Sequence, residues 1–325
     1  MPHVLVAGKI HASGIDLLRS APGVTVDVVQ EVSTEAYAPR IADADAVLIR
    51  TQPMPASVIA AARRLRIVSR HGVGYDAVDV DALNARNIPL TVIGDVNSVS
   101  VAEHTMMLML AVARGTIAYD AATRAGRWGY RDSLDARELS GRTVLVVGYG
   151  RIGRAVSRLS AAFGMSVMVY DPFVDAARVV ADGHVALPAL QAGLPDADVV
   201  TVHVPMAKDG AVIGARELAA LKPGAIVINT ARGGLVDEAA LTEALAEGRL
   251  RGVGLDVLVN EPPSASDPLL GSDKVVLSPH SAGLTLECAE RMAVAAARNI
   301  LDFFAGRLDP SLVVNGPAIS SSMRA

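Results

Sequence analysis

Residues 144–156 read VLVVGYGRIGRAV, and the order of properties along that stretch decides the fold. Four apolar residues make a strand suited to burial on both faces, and a helical pattern opens directly after it. Between the two, Gly148, Gly150 and Gly153 stand in G-x-G-x-x-G spacing. The first glycine permits a tight turn, the second lets the backbone approach a pyrophosphate, and the third lets helix pack on strand. Arg151 and Ile152 open the helix, whose N-terminus attracts the anion. In a chain with 28 glycines this spacing alone is a weak signal, and Asp171 strengthens it. That aspartate ends the next strand, in SVMVYDP (166–172), at about the 20-residue offset where an acidic side chain accepts hydrogen bonds from ribose hydroxyls. A carboxylate there repels a 2′-phosphate, so the expected cofactor is NAD.

Working outward, short apolar runs alternate with longer helical patterns almost throughout, which predicts an α/β protein with parallel sheets. Strands are predicted at 3–7, 24–29, 46–49, 65–69 and 88–93, making one compact unit of about a hundred residues. A long helical pattern runs from Ser98 to Arg124, with Ser98 and Ser100 as capping candidates. Six further strands follow at 143–148, 166–170, 198–204, 225–229, 252–257 and 274–278, a number that suits a doubly wound dinucleotide-binding sheet. The last helix, about 284–304, comes after that sheet is complete and is expected to cross back onto the first domain. The tail NGPAISSSMRA (315–325) is expected to fray.

With 325 residues, 51% of them hydrophobic, the chain can bury a large core in two domains. A net charge of −4 with scattered basic residues argues against nucleic acid or an anionic membrane as the partner. The apolar run TMMLMLAVA (105–113) is far shorter than the roughly 20 residues of a membrane span, and it reads as a buried or interface helix. Cys288, the single cysteine, has no internal disulfide partner, and the opening residues carry no signal-peptide pattern, so a cytoplasmic location is expected. No metal site is expected.

Ligands of open α/β sheets sit beyond the carboxyl ends of the strands. Three ionisable groups occupy that position. Arg232 follows AIVIN (225–229), Glu261 follows GVGLDVLV (252–259), and His280 follows KVVLSP (274–279). If those strands are neighbours, an arginine, a carboxylate and a histidine meet beside the nicotinamide. Arginine offers a planar fork that grips a carboxylate and polarises the adjacent carbonyl. Histidine delivers a proton to the carbonyl oxygen as hydride reaches carbon, and a carboxylate orients the ring and favours the imidazolium. This is the set that reduction of a 2-keto acid requires.

The segments GYGRIGRAV, YDP, TVHVP, INTARGGLVDEAAL, GLDVLVNEPP and SPHSAG, in this order, resemble the D-isomer-specific 2-hydroxyacid dehydrogenase family, and most closely its D-3-phosphoglycerate dehydrogenase-like branch. The resemblance implies a Rossmann-type dinucleotide-binding domain (98–284) inserted in a flavodoxin-like substrate domain (1–97 plus 285–325). It also implies that Arg232 orients the substrate, that His280 is the acid/base and that Glu261 is its partner. Asp256 resembles the aspartate that holds the nicotinamide carboxamide, and His203, Pro205, Thr230 and Gly283 resemble cofactor-site positions. The helix from Ser98 resembles the family's dimer element, so a homodimer is expected.

For the substrate, Arg50 and Arg70 match arginines that meet the phosphate in phosphoglycerate dehydrogenases. The amides near Val73 and Gly74 match the receiver of the substrate carboxylate, and Asn97 matches a further site position. Two departures widen the substrate class. His71 stands where that branch often has a small residue, and HSAGLT (280–285) resembles a segment of sulfolactate dehydrogenase-like relatives. The expected substrate is therefore a short anionic 2-hydroxy or 2-keto acid. Alternatives are a sulfolactate or a hydroxypyruvate/glyoxylate-type enzyme, and, outside catalysis, an NAD(H)-sensing binding protein. A formate dehydrogenase would be expected to carry glutamine in place of Glu261.

Overall fold

The computed structural model describes residues 1–206 and 210–318. The stretch beyond 318, most of the tail expected to fray, lies outside them. Contacts divide the chain into two compact units, Met1–Asn97 with the chain from Leu284 onward, and Ser98–Gly283.

In the first unit, β1 (His3–Ala7), β2 (Thr25–Val29), β3 (Ala46–Ile49), β4 (Ile67–Arg70) and β5 (Leu90–Thr91) form a five-stranded sheet in the order β2-β1-β3-β4-β5, with every neighbour parallel. This is the flavodoxin-like strand order. Alternate residues of β1 serve opposite faces. Val4 and Val6 pack with Met292, Ala296 and Ile300 of the helix Leu286–Phe304, while Leu5 and Ala7 pack with Tyr37, Ile41 and Leu83. The terminal helix is thus part of the first unit, and the buried Ser69 hydroxyl donates to its Ala296 carbonyl. It starts at Leu286 rather than 284, because the Thr285 side chain caps the amide of Cys288.

In the second unit, β6 (Thr143–Val147), β7 (Ser166–Tyr170), β8 (Val185–Ala186), β9 (Val199–Val202), β10 (Ala225–Asn229), β11 (Leu250–Leu255) and β12 (Val275–Leu277) run in the order β12-β11-β10-β9-β6-β7-β8, again all parallel. Counted within the unit this is the doubly wound order 3-2-1-4-5-6 with a seventh strand at the far edge, and the order reverses between β6 and β9. The sheet has seven strands, not the expected six. The extra one, β8, is two residues long and pairs only through Met168↔Val185 and Val169↔Ala186.

The long helix also differs from expectation. It is two helices, Ser98–Arg114 and Thr116–Arg124, broken at Gly115, which takes the left-handed conformation at φ 61°. Ser98 and Ser100 fall inside the first turn rather than before it, and both are buried. The first of these helices lies close against β11 because that strand reads Gly-Val-Gly. A Cβ on Gly252 would come within 2.9 Å of Val112, and one on Gly254 within 2.9 Å of Leu108. Among the described residues no helix is long and apolar enough to cross a membrane.

Candidate active site

The turn after β6 is shaped as the glycine spacing requires. Gly148 has φ 97°, and a Cβ on it would lie 2.6 Å from the His203 carbonyl oxygen; one on Gly153 would lie 2.0 Å from the Gly148 carbonyl oxygen. A Cβ on Gly150 would meet nothing within 4 Å, so space beside the turn is open where a ligand's phosphates could approach. Arg151 and Ile152 begin the helix Arg151–Ala162. Asp171 at the end of β7 faces the same turn, with Oδ2 accepting from the Tyr149 amide at 2.7 Å and Oδ1 from the Phe173 amide at 2.9 Å. Each carboxylate oxygen keeps acceptor capacity for a ribose hydroxyl.

Across the switch point, His203 follows β9. Its Nε2 pairs with the Thr201 hydroxyl at 2.9 Å, while Nδ1 is buried without a hydrogen-bond partner among the described residues. Burial pushes the imidazole down to about 3, so the ring is neutral near pH 7. An orphaned nitrogen, an uncrowded Gly150 and a carboxylate at the end of β7 together fit a dinucleotide. Pro205 is exposed next to this strand end, and Thr230 is buried with its hydroxyl 2.9 Å from that of Thr105.

The three ionisable groups follow adjacent strands, because β10 pairs with β11 and β11 with β12. His280 and Glu261 are in direct contact, with Nδ1 2.7 Å from Oε2, although both side chains are well exposed, at 52% and 38%. A carboxylate only accepts, so Nδ1 carries the proton and Nε2 is left for chemistry. The other oxygen of Glu261 accepts from the Leu258 amide at 3.1 Å, and the Glu261–Pro262 peptide is cis. Arg232 lies one strand over, its Nη1 donating to the Ala231 carbonyl at 2.6 Å.

Two residues hold this arrangement, one of them missed by the sequence reading. Asn229, buried at the end of β10, donates from Nδ2 to the Arg232 carbonyl at 2.7 Å and accepts from the Ala231 amide at 3.0 Å, so it fixes the backbone that carries the arginine. Asp256 does the same for His280. Its backbone carbonyl accepts the His280 amide at 2.8 Å, and its carboxylate accepts the amides of Ser281 and Ala282 at 2.8 and 2.9 Å. Ser278 gives its one hydroxyl proton to the same carboxylate at 2.6 Å. The His104 Nε2 lying 2.7 Å from that hydroxyl must therefore be a donor.

These contacts keep a buried aspartate satisfied and hold His280 at φ 51°, a left-handed conformation that costs a non-glycine residue roughly 1–2 kcal/mol. Gly283 closes the same loop. Asn229 is a polar residue ending an otherwise apolar strand, and that was the one sequence signal able to reveal it.

The remaining predicted residues belong to the first unit. Arg50 follows β3 and Arg70 ends the neighbouring β4. Arg50 Nη1 donates to the Lys9 carbonyl at 3.1 Å and Arg70 Nη1 to the His71 carbonyl at 3.0 Å. His71 is buried, and neither ring nitrogen finds a hydrogen-bond partner of normal geometry among the described residues. Burial first, then the Arg50 and Arg70 charges, push its imidazole down to about 4. Val73 is exposed and Gly74 partly so, while Asn97 has a buried Oδ1 without a hydrogen-bond partner among the described residues.

Residues 106–282 match the pattern defining the NAD binding domain of D-isomer specific 2-hydroxyacid dehydrogenases. The chain is 39% identical over 321 residues to the D-3-phosphoglycerate dehydrogenase of Archaeoglobus fulgidus, covering 98% of this chain and 60% of that one. It therefore spans about three fifths of the length of that relative. It is 35% identical over 321 residues to the glyoxylate reductase of Thermococcus gammatolerans, covering 96% of each. Among solved structures, that of the TT0316 protein from Thermus thermophilus superposes with a TM-score of 0.88 at 34% identity, covering 96% of this chain and 99% of the other. With these matches and an NAD-binding domain of the expected strand order, the chain belongs to the D-isomer specific 2-hydroxyacid dehydrogenase family.

Proposed function

We propose that the protein is an NAD-dependent D-2-hydroxyacid dehydrogenase that interconverts a short anionic 2-hydroxy acid and its 2-keto acid. The observation that carries this reading is the 2.7 Å contact between His280 Nδ1 and Glu261, one strand from Arg232 and in the same unit as the glycine turn. In the oxidative direction, Nε2 of His280 takes the hydroxyl proton as hydride leaves C2, and Glu261 stabilises the imidazolium that results. In the reverse direction the same nitrogen returns the proton to the carbonyl oxygen. Arg232 grips the substrate carboxylate and polarises the neighbouring carbonyl. Bound NAD supplies the hydride acceptor. Gly148, Gly150, Arg151, Ile152 and Gly153 hold its phosphates, Asp171 its ribose, and His203, Pro205, Thr230, Asp256 and Gly283 the remainder.

Arg50, Arg70, Val73, Gly74 and Asn97 complete the substrate contacts in this reading, and two arginines at neighbouring strand ends suit a second anionic group on the substrate. A glyoxylate-type activity is the second reading, supported by likeness to a glyoxylate reductase over nearly the full length of both chains. A homodimer built on the helices from Ser98 is supported by apolar side chains left exposed on them, with Val99 at 55%, Met107 at 43% and Ile117 at 51%. The buried free thiol of Cys288 fits a reducing compartment such as the cytoplasm.

The test is a set of specificity constants with NADH for phosphohydroxypyruvate, sulfopyruvate, hydroxypyruvate, glyoxylate and 2-oxoglutarate. Turnover of at least one is expected. A protein that binds NADH and turns over none would be an NAD(H)-sensing protein instead.

A further inference from the structure

We propose that Glu238 is a positioning residue for the His280–Glu261 pair, acting by reach rather than by charge; this rests on the roles assigned above to those two residues. Glu238 opens the helix Glu238–Ala246, where an acidic first turn suits the helix dipole, yet its carboxylate does not make the capping hydrogen bond. The helix N-terminus is already capped by Asp237, whose Oδ1 accepts the Ala240 amide at 3.0 Å. Glu238 Oε1 instead accepts the Val259 amide at 2.7 Å, 21 residues further along the chain.

The next amide back, that of Leu258, donates to Glu261 Oε1, and Glu261 Oε2 meets His280. Two successive amides of one loop are therefore held by two glutamates, one of which is the histidine's partner. The loop is pinned from a second side as well. The Arg232 turn passes so close that a Cβ on Gly233 would lie 2.0 Å from the Leu258 carbonyl oxygen and 2.5 Å from the Val259 nitrogen.

A carboxylate is an awkward group to place there. Burial, and then the charges of Asp267, Glu261 and Asp237, raise the Glu238 carboxyl from its ordinary value, and only the Val259 amide opposes them. Neither charge pairing nor capping accounts for the side chain. Its distance of reach does, because it ties the first turn of one helix to the loop of the next strand and so sets where Glu261 can stand.

Three variants separate reach from charge. Glu238→Asp keeps the charge but is one methylene too short for Val259, Glu238→Gln keeps the reach and an acceptor oxygen, and Glu238→Ala keeps neither. The readouts are kcat, the NADH dissociation constant, and the downfield proton resonance of His280 Nδ1–H in protein labelled with 15N-histidine, assigned by its loss in His280→Ala.

The expected result is that the Asp and Ala variants lose the resonance and roughly tenfold or more of kcat, with NADH binding within about twofold of wild type, while Gln retains both signals. The opposite pattern, in which Asp matches wild type and Gln matches Ala, would show a charge effect and overturn the proposal. So would an Ala variant that keeps both resonance and kcat. If no 2-keto acid is turned over by the wild type, the resonance alone decides the positioning. If Glu238→Ala does not fold, the Asp and Gln pair decides it.

Discussion

Replacing Gly233 with alanine tests how tightly the arginine turn and the Glu261 loop are packed. The added Cβ would stand 2.0 Å from the Leu258 carbonyl oxygen, 2.2 Å from its carbon and 2.5 Å from the Val259 nitrogen. All three are backbone atoms, so no side chain can swing away to relieve the clash. Relief to about 3 Å requires the two loops to part by about 1 Å.

Glu261 rides on the displaced loop through its bond from the Leu258 amide, and it stands only 2.7 Å from His280, so a shift of that size breaks the contact. A displacement of about 1 Å in a catalytic group costs on the order of a hundredfold in rate, or about 2.7 kcal/mol. The assay is keto-acid-dependent NADH consumption, with NADH binding measured by fluorescence and folding by thermal melting. We expect kcat/KM to fall about a hundredfold and the melting temperature to drop, because the clash is with backbone, while NADH affinity falls much less than kcat/KM, since the phosphate-binding turn follows β6 and is untouched by the parted loops. A folded Gly233→Ala protein with activity within twofold of wild type would refute the packing argument.

Arg232→Lys should lower kcat/KM by roughly ten- to a hundredfold, because one ammonium cannot reproduce the two-pronged contact; steady-state kinetics on the best keto acid checks this. Asp171→Asn removes the charge facing the 2′ position and keeps an acceptor for only one of the Tyr149 and Phe173 amides, which bond to different oxygens of the aspartate, so the NAD-to-NADP ratio of kcat/KM should narrow, and an unchanged ratio would remove Asp171 from that role. His71 gives a stability prediction with a defined sign. Its pKa is lowered from 6.5 to about 4 by burial and by the Arg50 and Arg70 charges, so the unfolded chain takes up a proton on acidification before the folded one does. Stability should therefore decline as pH falls from about 6.5 to 4, by on the order of 3 kcal/mol from this group. Urea titrations across that range on wild type and His71→Asn would show the decline weakened in the variant.

The strand pattern was legible because both faces of each sheet are covered, so β3, β6 and β10 read as continuous apolar runs. It misled where burial outlasts the ladder. Val92 and Ile93 remain buried but leave β5, since the Val92 amide donates to Leu312 and Thr91 bridges Val313. Conversely, β8 is too short and too exposed to leave a pattern. In the site, the ionisable side chains were legible from their place just after strands. Asn229 and Glu238, which hold them, were not, and Asp256 was read only as a cofactor position, because the contacts of these three run from side chain to backbone amide or carbonyl, and a backbone group carries no residue-specific signal.

The most direct test of the proposed chemistry is the His280→Ala variant, assayed with NADH and the best keto-acid substrate alongside wild type. If His280 supplies the proton and Glu261 serves only through it, kcat should fall by roughly a hundredfold to ten-thousandfold while NADH still binds within about twofold of wild-type affinity. Turnover retained at near wild-type rate would show that another group delivers the proton, and would contradict the account.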